Sequence, residues 1–222
     1  MLYIDIHTHR AIGSSDIISI QNYVFGEDKI NTDQVFSVGI HPWYLHQDIK
    51  AFENTLQRLQ HNPNFVAIGE CGLDFQARYL HVFPPHEQQN VFEKHILWAQ
   101  QFNKPLIIHC VKCFDKLLYL KKQFDVSVPW IVHGYAKNEN LARQLLQAGF
   151  YLSFGTAIFN SKANRKALQI TPLNRLFFET DVQNFYDIKK IYAEASIIKN
   201  VSKDELCHSI YQNFNHIFIS RK

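Results

Sequence analysis

Apolar residues recur along this chain in two rhythms. Short runs rich in β-branched and aromatic side chains occupy residues 2–6, 17–24, 36–40, 65–69, 106–109, 130–133, 150–153 and 176–179. Each is the length of a strand and is bounded by polar or glycine-containing turns. Between them lie segments with helical spacing. "DIKAFENTLQRLQ" offers Asp48 as an N-cap, with Ile49, Phe52, Leu56 and Leu59 on one face. "PPHEQQNVFEKHILWAQQF" opens on prolines and Glu87, as a helix start does. "NENLARQLLQAGF" runs from an Asn138 cap to Gly149. "SKDELCHSIYQNFNHIF" carries a capping box, Ser202 followed three residues later by Glu205. Strands alternating with helices predict parallel βαβ units, and eight of them predict a closed (β/α)8 barrel of the α/β class. The segments "RAIGSSD" and "FGEDKINTDQV" are too short or irregular to hold crossover helices. The barrel is therefore expected to be lean, with its first two helices reduced or missing, the alternative being that residues 17–24 are not a strand.

Composition narrows the picture without redirecting it. The 222 residues are 46% hydrophobic and 19% charged, enough to build one core, and no linker or low-complexity tract divides them, so a single domain over 1–222 is expected. A net charge of +3 suits a phosphate-bearing substrate but falls short of the dense basic stripe of a dedicated nucleic-acid binder. Four cysteines make no disulfide framework, and no run approaches the roughly 20 apolar residues of a membrane span. With no leader-like start, a cytoplasmic location is expected. The 18 phenylalanines read as core, whereas the 12 histidines have to be sorted by position.

His7 and His9 stand one residue apart in "YIDIHTHR". In a strand, residues i and i+2 share a face, so both imidazoles aim at one spot. His41 follows the third strand, Glu70 the fourth, His109 ends the fifth, His133 ends the sixth and Asp181 follows the eighth. All sit where an apolar strand gives way to a turn, the end of a barrel at which active sites are built. Buried carboxylates and imidazoles without partners are costly, and a divalent cation offsets that cost through neutral nitrogen and anionic oxygen donors. His7, His9, Glu70, His109, His133 and Asp181 are thus candidate metal ligands.

The stretches "DIHTHR", "VGIHPW", "IGECGLDF", "PLIIHC", "IVHGY", "YLSFG" and "ETD", in that order, resemble the TatD-type metal-dependent hydrolases and deoxyribonucleases of the amidohydrolase superfamily. The resemblance runs from residue 1 to about 181, and "NFNHIF" is similar to the closing helix of that family. It implies two divalent ions, Zn, Mn or Mg. His7, His9 and Asp181 would hold the first, His109 and His133 the second, and Glu70 would bridge them. Asp181 and Glu70 would carry the catalysis, Asp181 as general base. His41 is a candidate substrate contact. Lys112 in "HCVKC" stands where the family commonly has an arginine and would meet phosphate as a point charge. After "ETD" the family continues through a proline-containing loop, whereas "VQNFYDIKK" here enters a helix almost at once.

The leading expectation is a phosphodiesterase resembling a 3′-exonuclease, acting on single-stranded DNA or RNA. Nucleic acid is then substrate rather than standing partner, with no membrane and no obligate protein partner. The alternatives are a metal-dependent acyl ester or amide hydrolase, for example on aminoacyl-tRNA or a small metabolite, and a barrel that only binds. Cys110 and Cys113 form a CxxC that reads as packing rather than redox chemistry. Asp74 reads as a residue that fixes a loop or orients a ligand. Trp43 and Tyr44 read as aromatics covering a barrel mouth, with base stacking as the other reading. His95 is assigned to surface or packing.

Overall fold

The computed structural model describes residues 1–10, 13–182 and 187–220. Its eight strands are β1 (Tyr3–Thr8), β2 (Ile17–Val24), β3 (Phe36–Gly39), β4 (Phe65–Asp74), β5 (Leu106–Val111), β6 (Trp130–Val132), β7 (Tyr151–Phe154) and β8 (Leu176–Phe178). They form one sheet in sequence order. A parallel bridge between Thr8 and Asp181, flanked by Asp181 N–H donating to the His7 carbonyl at 2.9 Å, joins β8 back to β1. The fold is a (β/α)8 barrel, as the alternating pattern predicts. Among the described residues no helix lies between β1 and β2 or between β2 and β3, which makes the barrel lean at the expected place.

By contact the chain divides into two compact units, Asn22–Trp130 and the pair of segments Met1–Gln21 and Ile131–Lys222. The first holds helices α1 (Ile49–Leu59), α2 (Ala77–Leu80), α3 (Pro85–Gln101) and α4 (Phe114–Gln123). Asp48 caps α1 by accepting from the Lys50 and Ala51 amides, and Pro85 opens α3. Phe36, Phe52, Phe65, Phe92, Ile96 and Trp130 are buried in this unit, with Phe36 and Phe65 stacked 5.6 Å apart. The second unit holds α5 (Glu139–Gln147), α6 (Ala157–Asn160), α7 (Lys162–Ile170), α8 (Ile188–Lys199) and α9 (Lys203–Phe214). Its caps are Asn138 on α5, Ser161 on α7, Asp187 on α8 and Ser202 on α9. Tyr192 of α8 ties to β1: its hydroxyl donates to the Ile4 carbonyl at 3.0 Å and accepts from the Ile4 amide at 3.2 Å, with both residues fully buried.

The largest difference from the sequence pattern is β4, which runs on through Asp74 instead of ending at residue 69. Glu70, Gly72 and Asp74 look like turn residues, yet all are buried in a strand paired with β5, Gly72 opposite His109 and Asp74 opposite Val111. Gly72 has φ 137, and a Cβ there would collide with the His109 carbonyl, so only glycine lets β5 approach this closely. Of the segment "VQNFYDIKK" after Asp181, residues 183–186 lie outside the described residues. Helix α8 begins at Ile188. No helix among the described residues is long and apolar enough to cross a membrane.

Candidate metal centre

In the unit formed by residues 22–130, the pairing of β4 with β5 shifts register between Ile68 and Cys71. Such a bulge re-aims side chains next to active sites. Glu70 sits in it, and its amide donates to Asn22 Oδ1 at 2.7 Å. Asn22 also accepts from the Ser37 hydroxyl, so β2 and β3 hold the Glu70 backbone in place. The Glu70 carboxylate, 4% exposed, meets His109 Nδ1 at 2.9 Å and His41 Nε2 at 3.2 Å. One donor atom each from His41, Glu70 and His109 lies within 4.8 Å of the others.

Hydrogen-bond partners assign these rings. His41 Nδ1 accepts from the Trp43 amide at 3.1 Å, so a neutral His41 carries its proton on Nε2 and donates to Glu70. His109 Nε2 faces Asp74 Oδ2 at 3.1 Å. Asp74 also accepts from the Trp43 indole at 2.8 Å and the Gln76 amide at 2.9 Å. Burial pushes its carboxyl up, but the bonds from His109, Gln76 and Trp43 outweigh burial and bring it down to about 2. With Nε2–H donating to ionised Asp74, a neutral His109 turns its Nδ1 lone pair toward a Glu70 oxygen. Two such donors point at each other stably only around a cation or a shared proton. That donor set fits a divalent metal.

In the unit of residues 1–21 and 131–222, His7, His133 and Asp181 offer donor atoms within 4.8 Å of one another. His7 Nε2 and His9 Nε2 both lie 3.6 Å from Asp181 Oδ1. The His7 and His133 ring centres are 4.2 Å apart. Glu179 Oε1 accepts from the Gly134 amide at 2.6 Å and from His133 Nδ1 at 3.2 Å, which fixes the ring and its Nδ1 proton and turns Nε2 away from Glu179. Asp181 takes φ 54, a left-handed conformation that aspartate tolerates better than most residues, and its side chain is 37% exposed where His7 is wholly buried. The Asp5 carboxylate accepts from the Thr180 hydroxyl at 2.6 Å, the Thr180 amide at 3.2 Å and the His7 amide at 3.3 Å, fastening the ends of β1 and β8 together. Burial drives the Asp5 carboxyl up to about 7, against the lowering pull of the Thr180 and His7 bonds.

The candidates His7, His9, His133 and Asp181 are thus assembled in one unit, and Glu70, His109 and His41 in the other. Lys112 is exposed on the turn after β5, at φ 59. Asn22, Glu179 and Asp5 orient the candidate ligands and were not singled out by sequence reasoning. The signal for Glu179 and Asp5 was their place inside "ETD" and "DIHTHR". Asn22 lies mid-strand with nothing to mark it. Cys110 and Cys113 are buried free thiols whose Sγ atoms, 3.7 Å apart, share a hydrogen bond rather than a disulfide, in line with packing.

A (β/α)8 barrel with imidazole and carboxylate donors gathered at its strand ends belongs to the class of barrel metal-dependent hydrolases. Comparison with known proteins makes this specific. Residues 19–219 match the family model described as TatD related DNase, and the chain belongs to that family. It is 30% identical over 199 residues to an uncharacterized metal-dependent hydrolase, YcfH, of Escherichia coli K12, covering 83% of this chain and 73% of that protein. It is 28% identical over 149 residues to the 3'-5' ssDNA/RNA exonuclease TatD of Salmonella typhimurium, covering 65% of this chain and 56% of that one. Among solved structures, the TatD homologue YJJV of Escherichia coli superposes with a TM-score of 0.82 at 20% identity over 97% of both chains. A TatD family hydrolase from Entamoeba histolytica does so with 0.79 at 18% identity over 98% of both. The protein is a metal-dependent hydrolase of the TatD family.

Proposed function

We propose that this hydrolase is a two-ion phosphodiesterase that trims single-stranded DNA or RNA from the 3′ end. The observation that carries the reading is the pairing of His109 Nδ1 with Glu70 Oε1 at 2.9 Å, two facing donors in a buried site of a chain whose family includes a named 3'-5' exonuclease. In the ligand set implied by family resemblance, His7, His9 and Asp181 would hold one ion, and Glu70, His109 and His133 are the further candidate ligands. Bound there, two divalent ions would lower the pKa of water and offset charge on the phosphoryl oxygens.

The side chains then have distinct tasks. Asp181, the most open of the acids, takes the proton from the attacking water and returns it to the leaving 3′ oxygen as the phosphorus–oxygen bond breaks. Asp74 and Glu179 hold His109 and His133 in single tautomers. His41 donates to Glu70 and stands with Lys112 as a substrate contact.

The test is turnover of a short labelled single-stranded oligonucleotide, with added Zn²⁺, Mn²⁺ or Mg²⁺, by wild type and by Glu70→Ala and Asp181→Asn. A loss of about 10²–10⁴ in kcat is expected for Asp181→Asn, and at least as much for Glu70→Ala. Undiminished turnover in either variant overturns the proposal.

A further inference from the structure

Trp43 does more than cover the end of a strand. Its indole donates to Asp74, the acid that orients His109, and its ring centre lies 5.8 Å from that of His109. On it Tyr79 of the short helix α2 is stacked, with centroids 4.3 Å apart and planes 17° from parallel. The Arg78 guanidinium lies 4.7 Å from the Tyr79 ring centre and 5.9 Å from that of Trp43. A second line of rings leaves His41 through Tyr44, 6.1 Å away, to His46, which is stacked on Phe83 at 6.3 Å and 18°. Trp43, Tyr44, Tyr79 and Phe83 all keep part of their surface open, and Arg78 and His46 are exposed.

A packing role would bury such rings, and a purely solvated face would not line up aromatic planes with a cation. Partly open, parallel rings carrying an arginine and starting at the candidate ligands match how single-stranded nucleic acid is gripped. Bases stack on aromatic faces, the guanidinium adds cation–π and phosphate attraction, and no base edge has to be read.

Building on the phosphodiesterase reading, we propose that Trp43, Tyr79 and Arg78 form a base-stacking subsite for a terminal nucleotide of a single-stranded polynucleotide. The subsite is sequence-tolerant and requires a base.

Two readouts test it separately from hydrolysis. Trp98 and Trp130 are 6% and 0% exposed, so quenching of tryptophan emission by a ligand in solution reports on Trp43. The probes are (dT)6 and the same chain with its two 3′-terminal bases removed, each also prepared with cleavage-resistant phosphorothioate links. The expected result in wild type is that removing the bases weakens quenching affinity and raises KM about ten-fold. Tyr79→Ala should erase that difference, with the change in KM rather than kcat, and Tyr79→Phe should restore it. Arg78→Ala should weaken both probes, the base-bearing one more, and so shrink the difference between them, and it replaces Tyr79→Ala if the latter does not fold. A base dependence that is absent, or that survives Tyr79→Ala and Arg78→Ala unchanged, overturns the subsite. Base-dependent quenching lost in Tyr79→Ala, without cleavage of plain (dT)6, upholds the subsite and removes the phosphodiesterase reading instead.

Discussion

Glu179, just after β8, and Asp74, at the end of β4, do the same job. Each is a buried carboxylate that takes one ring proton of a histidine, through His133 Nδ1 in one case and His109 Nε2 in the other, and so presents the opposite nitrogen to the site. Such partners typically contribute ten- to hundred-fold to metal affinity by fixing tautomer and ring angle. Glu179→Gln and Asp74→Asn keep the shape but remove the charge. Each is expected to weaken divalent-ion affinity by about 10–100-fold, read by competition with a chromophoric chelator. Unchanged affinity in Glu179→Gln would mean that His133 is not a ligand. At this scale the sequence was partly legible. Ligand types stood out because histidines at strand ends are conspicuous, whereas Asp5 and Asn22 sit inside strands and Glu179 just after one, and all three look like ordinary interior polar residues until their partners, up to 175 positions away, are known.

Helix α3 shows how an element is fastened to the site it supports. His95 is fully buried, donates from Nδ1 to the Val91 carbonyl at 2.8 Å and accepts through Nε2 from the Ile40 amide at 3.0 Å, one residue before His41. The sequence reading assigned it to surface or packing; packing it is, but with both ring nitrogens committed. Burial lowers its pKa to about 4. The unfolded chain therefore binds a proton near pH 6.5 that the folded chain refuses until about pH 4. The stability from neutral His95 is complete above about pH 6.5 and is lost progressively as pH falls toward 4. The loss amounts to about 3 kcal/mol. Denaturant melts at a series of pH values should show that slope in wild type and a flatter one in His95→Phe, which is less stable at neutral pH for want of a partner to Ile40. An equal slope in both would contradict the assignment. On α8, Tyr192→Phe strands the Ile4 amide and carbonyl, which should cost about 1–3 kcal/mol. In a chain of this size that lowers Tm by about 2–12 °C. A scanning calorimetry trace with unchanged Tm would refute that role for the hydroxyl. Helix α3 and the capped α1, α5 and α9 were legible from spacing and start signals. Helix α4 was not, because Cys113 before it makes no side-chain cap bond and the "HCVKC" run hides its start.

At the scale of the whole chain, the eight-strand order was readable because every strand is a short apolar run closed by a polar turn, and because the missing early helices left gaps too short to hold them. The reach of β4 was not readable, since its polar residues serve the site from within a strand and composition alone makes them look like a loop. The fold places its candidate ligands on strands and the turns that follow them, from β1, β6 and β8 in one unit and from β4 and β5 in the other. The proposed chemistry requires that these donors hold metal stoichiometrically, and elemental analysis of the purified protein measures this directly. Two divalent ions per chain are expected in wild type, falling to one in the His7→Ala/His9→Ala double variant while the fold persists by circular dichroism. A wild-type chain that retains no stoichiometric ion after incubation with Zn²⁺ or Mn²⁺, or a double variant that keeps the full complement, would contradict the account.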